Sequence, residues 1–110
     1  MVSNIMEIMR RRAIRSFMDI VILSELQDKQ LSGYDFLGLI HERFGIMISS
    51  GTVYAQLYNM EREGLIEAER VNRKRVYNLT AKGKMDMDTL IKANGDLRTL
   101  FTSIIYPGKT

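Results

Sequence analysis

Cysteine and tryptophan are absent from the 110 residues, and proline and histidine occur once each, at Pro107 and His41. The missing thiols exclude disulfides, thiolate zinc sites and cysteine nucleophiles. A single imidazole lacks the partners that histidine catalysis or metal binding needs, so no metal is expected. No apolar run approaches the roughly 18 residues of a membrane span. Met1–Arg12 has no unbroken apolar stretch of the kind that opens a secretory signal. The expectation is a cytoplasmic protein with no membrane partner. No Gly/Ser/Pro-rich linker divides the chain, so residues 1–110 read as one domain. Gly83-Lys84 lacks the upstream glycine of a phosphate-binding loop, and no acid–base constellation stands out. A non-enzymatic protein without cofactors is the reading.

What is present is an ordinary globular composition, 45% hydrophobic and 26% charged, with a net charge of +3. That is a mild bias toward anionic partners. The basic residues cluster at Arg10, Arg11, Arg12 and Arg15, and again at Arg70, Arg73, Lys74 and Arg75.

The segment 4–27 contains no proline or glycine and reads as one helix, or two in succession. Ile14, Phe17, Met18 and Val21 share one face, while Ile20, Leu23 and Leu26 fall on the other. A helix that is apolar nearly all round needs cover on both sides. We infer a helix sandwiched between its own core and a second subunit. Ser32 opens the next helix, with Asp35 completing a capping box. Tyr34, Leu37, Ile40 and Phe44 are its predicted buried stripe, and Gly45 its stop. His41, on the side of Leu37 and Phe44, is expected to be packed. Ile46-Met47-Ile48 is a connector with the character of a brief strand. Ser49 caps a third helix, 49–63, which buries Val53, Leu57 and Met60 and turns Gly51, Ala55, Tyr58, Asn59 and Arg62 outward.

Strands over 65–71 and 75–79 follow, with Asn72-Arg73-Lys74 as the hairpin tip. Thr80 caps a final helix, 81–105, in which Leu90, Leu97 and Ile104 recur every seven residues with Leu100 and Phe101 between them. That stripe lies on the chain's own first helix, forms a dimer seam, or does both.

The fold class is therefore mainly α with a two-stranded β-hairpin wing, a winged helix-turn-helix over about 32–80 flanked by dimerisation helices 4–27 and 81–105. The major groove of B-DNA admits one α-helix. A helix N-terminus offers unpaired N–H groups to phosphate. A hairpin with a basic tip then reaches a neighbouring backbone or groove.

Four motifs in order carry a family resemblance. Leu31-Ser32-Gly33-Tyr34-Asp35, Ser49-Ser50-Gly51-Thr52-Val53-Tyr54, Met60-Glu61-Arg62-Glu63-Gly64-Leu65-Ile66 and Arg75-Val76-Tyr77-Asn78-Leu79-Thr80-Ala81-Lys82-Gly83 resemble the L-x-G-Y-[DE], S-P-G-T-V-Y, L-E-x-x-G-L-[IV] and R-x-Y-x-L-T-x-x-G motifs of PadR-type transcriptional regulators. The likeness covers about residues 17–90. Family members usually carry proline where this chain has Ser50 and commonly histidine where it has Ser32. The resemblance implies a homodimeric regulator of double-stranded DNA, a repressor of the short branch with a single C-terminal helix, in which the first and last helices build the dimer.

Within that frame Ser49, Ser50, Gly51 and Thr52 would hold a phosphate, unless Ser49 is simply an N-cap. Tyr54 either bonds phosphate or packs against the second helix. Gln56 and Asn59 suit adenine edges, Asn59 being nearer the exposed pole, and Tyr58 suits a thymine methyl or a sugar. The recognition helix carries only Arg62 against Glu61 and Glu63, so affinity is assigned to Arg73, Lys74 and Arg75 of the wing, 65–79. The cluster Arg10–Arg12 with Arg15 either flanks the DNA or solubilises its helix. Phe17, Ile20, Leu23, Leu90, Leu97, Leu100, Phe101 and Ile104 are the candidate dimer residues. Two other readings stay open: a winged helix for protein–protein contact in the transcription machinery, and a sensor of a small hydrophobic effector bound between subunits, for which the 8 methionines would supply an adaptable lining.

Overall fold

Serine and threonine caps and glycine stops cut the chain into short helices around one hairpin. The computed structural model describes residues 2–108. In order it has α1 (Val2–Ser16), α2 (Met18–Glu25), β1 (Leu31–Ser32), α3 (Gly33–Phe44), α4 (Ser50–Arg62), β2 (Ile66–Val71), β3 (Lys74–Leu79), α5 (Ala81–Lys92) and α6 (Asn94–Ile105). The Asp35 N–H donates to Ser32 Oγ at 3.1 Å, and the Ser32 N–H donates to Asp35 Oδ2 at 2.9 Å. This is the expected capping box at the start of α3. Gly45, at φ 68°, ends that helix. Ser49 caps α4 by accepting from the Thr52 N–H, and Thr80 caps α5 by accepting from the Gly83 N–H.

Both long terminal segments are broken. The first bends at Phe17 (φ −111°, ψ 27°), between α1 and α2. The last, expected as one helix over 81–105, becomes α5 and α6 at Ala93. There the Asn94 side-chain amide turns back to the Ile91 carbonyl (3.0 Å) and Gly95 follows, two poor helix formers in succession. The sheet is antiparallel in the order β1-β3-β2. Its third strand, Leu31–Ser32, pairs with Tyr77 and Val76 and was not foreseen. The strand anticipated at 46–48 is instead irregular, with Ile46 and Ile48 buried as plugs.

The core is built from Met18 and Ile22 of α2, Phe36 and Ile40 of α3, Val53, Leu57 and Met60 of α4, and Ile66 of β2. Two expectations need correction. In α3 the inward residues are Gly33, Phe36 and Ile40, whereas Tyr34 is 71% exposed and His41 is exposed as well. Tyr34 and His41 stand seven residues apart, two helical turns, so both turn outward together. Leu37 and Phe44 are only partly buried.

The helix that is apolar all round also needs no second subunit. Met18, Val21, Ile22 and Leu23 of α2, and Leu26 after it, are buried within one protomer, because α1, α4 and α5 all pack against that helix. Leu23 is thus a core residue and offers nothing to a partner. The unpartnered apolar surface lies elsewhere. Ile5, Ile8 and Met9 are exposed on α1, and Leu100, Phe101, Ile104 and Ile105 on α6, a helix with no buried residue.

Candidate nucleic-acid interface

The helix α4 is buried along one stripe, Val53, Leu57 and Met60, which fixes what it shows on the other side. Gly51, Ala55, Tyr58, Asn59 and Arg62 are exposed, as expected, with Tyr58 at 60%. The Arg62 guanidinium lies 5.5 Å from the centre of the Tyr58 ring, so the helix's own cation sits over an aromatic face. Gln56 is half-buried and shares a depression with Asn59, Arg62, Glu63 and Asp19 of α2.

At the start of α4, Ser49, Ser50, Gly51 and Thr52 are all exposed. Ser49 Oγ accepts from the Thr52 N–H at 3.2 Å and lies 2.8 Å from Thr52 Oγ1. Both hydroxyls can still present lone pairs or protons outward. Open space surrounds the position where a Gly51 Cβ would stand. That turn can accept a close backbone neighbour.

Tyr54 packs against the preceding helix. A Cβ built on Gly33 would come within 2.3 Å of Tyr54 Cε1. The ring occupies the space that glycine leaves, although the residue remains 46% exposed. Tyr54 also joins Ser32, Tyr34, Lys74, Arg75 and Tyr77 around a depression between the start of α3 and the wing. Residues of three motifs therefore meet there.

The wing turns on two residues, not three. Val71 pairs with Lys74, so only Asn72 and Arg73 lie between the strands. Their φ values are 50° and 69°. Left-handed backbone at both central positions is the two-residue turn that matches strand twist, and it favours Asn followed by Gly. Asn72 conforms. Arg73 places a long cationic side chain where glycine fits best. Arg73 makes no side-chain hydrogen bond or ion pair among the described residues.

Of the other two tip cations, Arg75 is engaged, while the Lys74 side chain makes no hydrogen bond or ion pair among the described residues. Lys74 lies near Asp35, whose carboxyl is held below its usual range first by the Ser32 backbone N–H, then by the Ser32 hydroxyl and the Lys74 charge, against partial desolvation. Arg75 Nη2 donates to both carboxylate oxygens of Glu61, at 2.9 and 2.7 Å, and its Nε donates to the Tyr77 hydroxyl at 3.3 Å. The Tyr77 hydroxyl and the Glu61 carboxylate keep that guanidinium still more firmly protonated than usual. The Glu61–Arg75 link had no signal in the sequence, because its partners are fourteen residues apart on different elements.

The early arginines divide as well. Arg11 donates to the Met47 carbonyl at 3.0 Å, tying α1 to the loop before α4, while Arg10, Arg12 and Arg15 are exposed. Among the remaining dimer candidates, the Phe17 and Phe101 rings meet edge to face, with centroids 5.9 Å apart. Ile20, Leu90 and Leu97 are half-buried, and Leu100 and Ile104 are exposed at 53% and 66%.

Two helices joined by a short turn, the second presented outward, with a basic hairpin beside it, define a winged helix-turn-helix protein. The family model of the Transcriptional regulator PadR-like family matches residues 22–89. The chain belongs to that family, whose members are transcription regulators.

Among solved structures, a PadR family transcription regulator from Clostridium difficile is 26% identical, with a TM-score of 0.73 over 81% of this chain and 98% of that one. Bacillus subtilis PadR in complex with operator DNA is 26% identical, with a TM-score of 0.62 over 67% of this chain. The alignment spans about half (46%) of that longer protein. A PadR family regulator from Eggerthella lenta shares the fold along nearly the full length, with a TM-score of 0.77 over 97% of each chain at 20% identity. No curated protein matches the sequence at a significant level. No helix among the described residues is long and apolar enough to cross a membrane.

Proposed function

We propose that the protein is a sequence-specific, homodimeric repressor. Each copy lays α4 in the major groove of double-stranded DNA and sets its wing on the adjacent backbone or minor groove. Arg73 carries the reading. It holds a cation at φ 69° at the tip of a hairpin beside α4, a turn position that glycine would fill with less strain. A charge maintained there against backbone preference suits a phosphate or a narrow minor groove. The exposed turn Ser49–Thr52 supplies N–H and O–H groups for a second phosphate, and Asn59 and Tyr58 lie on the pole that would face base edges. The operator DNA bound to the Bacillus subtilis relative supports the same assignment.

The exposed apolar faces of α1 and α6 support the homodimer. Contiguous apolar surface of that kind marks an association site. Phe17, Leu100, Phe101 and Ile104 are its proposed centre, with Ile20, Leu90 and Leu97 at its margin.

Selection of bound duplexes from a random pool tests the whole reading. Recovery of a two-fold symmetric site, bound with a log–log salt slope of about −0.9 for each phosphate neutralised, is the expected result. Enrichment of no sequence together with a flat salt response would refute it. In sedimentation at micromolar concentration the protein should run as a dimer and Phe101→Asp as a monomer.

A further inference from the structure

The wing is crowded with positive charge, yet one of its cations is withheld. Arg70 and Arg75 stand directly opposite each other in the β2–β3 register. Like charges so placed repel. Glu61, from the last turn of α4, reaches across and takes both its hydrogen bonds from Arg75. The Tyr77 hydroxyl takes a third, and the guanidinium lies 5.7 Å from the Tyr77 ring centre. All of this is near the surface, where an ion pair adds little to stability. Its consequences are geometric and electrostatic. With Nη2 on the Glu61 carboxylate and Nε on the Tyr77 hydroxyl, two nitrogens of the planar guanidinium are held by two partners, which fixes its direction as well as its distance. The link therefore sets the wing relative to the same helix that carries Tyr58 and Asn59. It also keeps Arg75 from acting as one more indiscriminate phosphate contact.

We propose that the Glu61–Arg75 pair is a specificity determinant: it positions the wing against α4 and holds down affinity for DNA of arbitrary sequence. This rests on the DNA-binding reading above. Discrimination is a difference between two affinities, and lowering the wrong one raises it as surely as improving the right one. Glu61, an acidic residue on a DNA-facing helix, has a role on these terms: it competes with phosphate for Arg75. Arg75 acts here as a positioning residue, and Arg73 is the wing's phosphate contact.

The test compares wild type, Glu61→Gln and Arg75→Gln on two duplexes, one recovered by selection and one scrambled to the same composition, by fluorescence anisotropy from 50 to 200 mM salt. Glu61→Gln should bind the scrambled duplex more tightly, with a slope steeper by about 0.9 per protomer, so that its gain over wild type is larger at 50 mM than at 200 mM by about 3.5-fold per protomer, or about 12-fold for the dimer. Its ratio of selected to scrambled affinity should fall. Arg75→Gln should lose affinity for the selected duplex while its slope on the scrambled one stays that of wild type. The two variants break the pair from opposite sides, so either supplies a result if the other fails to fold.

A scrambled-duplex slope reduced by about 0.9 per protomer in Arg75→Gln would overturn the proposal, since Arg75 would then be an ordinary phosphate contact. An unchanged affinity ratio in Glu61→Gln would overturn it too, leaving the DNA-binding reading intact. Wild type that binds neither duplex would remove that reading and this inference together.

Discussion

Replacing Arg73 by glycine should make the protein more stable and a worse DNA binder at once. The residue sits at φ 69° in the second central position of a two-residue hairpin turn. A side chain in left-handed backbone costs roughly 1–2 kcal/mol. Glycine removes that strain but gains freedom in the unfolded chain, worth about 0.4–1 kcal/mol the other way. The net gain is about 0.5–1 kcal/mol, and for a domain of this size it should raise Tm by roughly 2–6 °C. If the guanidinium neutralises one phosphate, its loss should flatten the log–log salt slope by about 0.9 per protomer on any duplex. Arg73→Lys keeps both the strain and the charge, so its Tm and slope should stay near those of wild type. Calorimetry at fixed protein concentration reads the first quantity and anisotropy titrations the second. An unchanged slope in Arg73→Gly would refute the phosphate assignment, and a lowered Tm would show that the side chain supports the fold.

Substitutions at Asp35, Ser32 and Gly33 probe how α3 is held. The Asp35 carboxyl is depressed by the Ser32 N–H, so its contribution to stability is fully present above the ordinary aspartate range near pH 4 and is lost as pH falls through its lower native value. Asp35→Asn should remove that part of the acid limb in urea melts at several pH values; an acid limb identical to wild type would contradict it. Ser32→Ala should cost about 1 kcal/mol at neutral pH by the same measurement, through loss of the cap. At Gly33, an added methyl would stand 2.3 Å from Tyr54 Cε1 and must push the ring outward. Gly33→Ala should weaken DNA binding, and combining it with Tyr54→Ala should show a coupling of roughly 0.5–3 kcal/mol in a double-mutant cycle of stability. Strict additivity would mean that the ring and the glycine act independently.

The elements legible in the sequence are those whose causes are local. Ser32, Ser49 and Thr80 each accept a hydrogen bond from an N–H three residues on, so the helix starts could be read from residue type and spacing. The burial of Val53, Leu57 and Met60 follows from helical periodicity alone, and with it the outward pole of α4. What could not be read depends on distant partners. Tyr34 and Phe36 are both aromatic and two residues apart; only the packing of α3 against α4 and β1 decides which turns inward. A strand of two residues, Leu31–Ser32, is too short to show alternation. Arg75 read as another basic tip residue because Glu61, which engages it, lies on a different element. Leu23 read as a subunit contact because its burial needs α4 and α5 in place around α2.

The motif residues shared with the family divide by job in a way that their sequence spacing conceals. A Cβ on Gly83 would meet the Leu65 carbonyl oxygen at 2.1 Å, which is backbone and cannot swing aside. The Thr80 N–H donates to that same oxygen at 3.1 Å, the Thr80 hydroxyl donates to the Gly64 carbonyl, and Lys82 Nζ donates to the Glu63 carbonyl at 3.1 Å. The turn that ends α4 is thus clamped by the first turn of α5. Gly33 of α3 receives the Tyr54 ring and so braces the same helix, and Ser49 closes its start. A helix meant to present one face to a rigid partner has to be held from behind along its whole length, because a displacement of an ångström at the contact undoes pairs that were arranged in advance. On the proposed function, Gly33, Thr80 and Gly83 would therefore serve DNA binding by holding α4 from behind, without touching DNA. Substitution at Gly83 should disturb the fold first and binding as a consequence, while substitution at Asn59 should change binding and leave the fold alone.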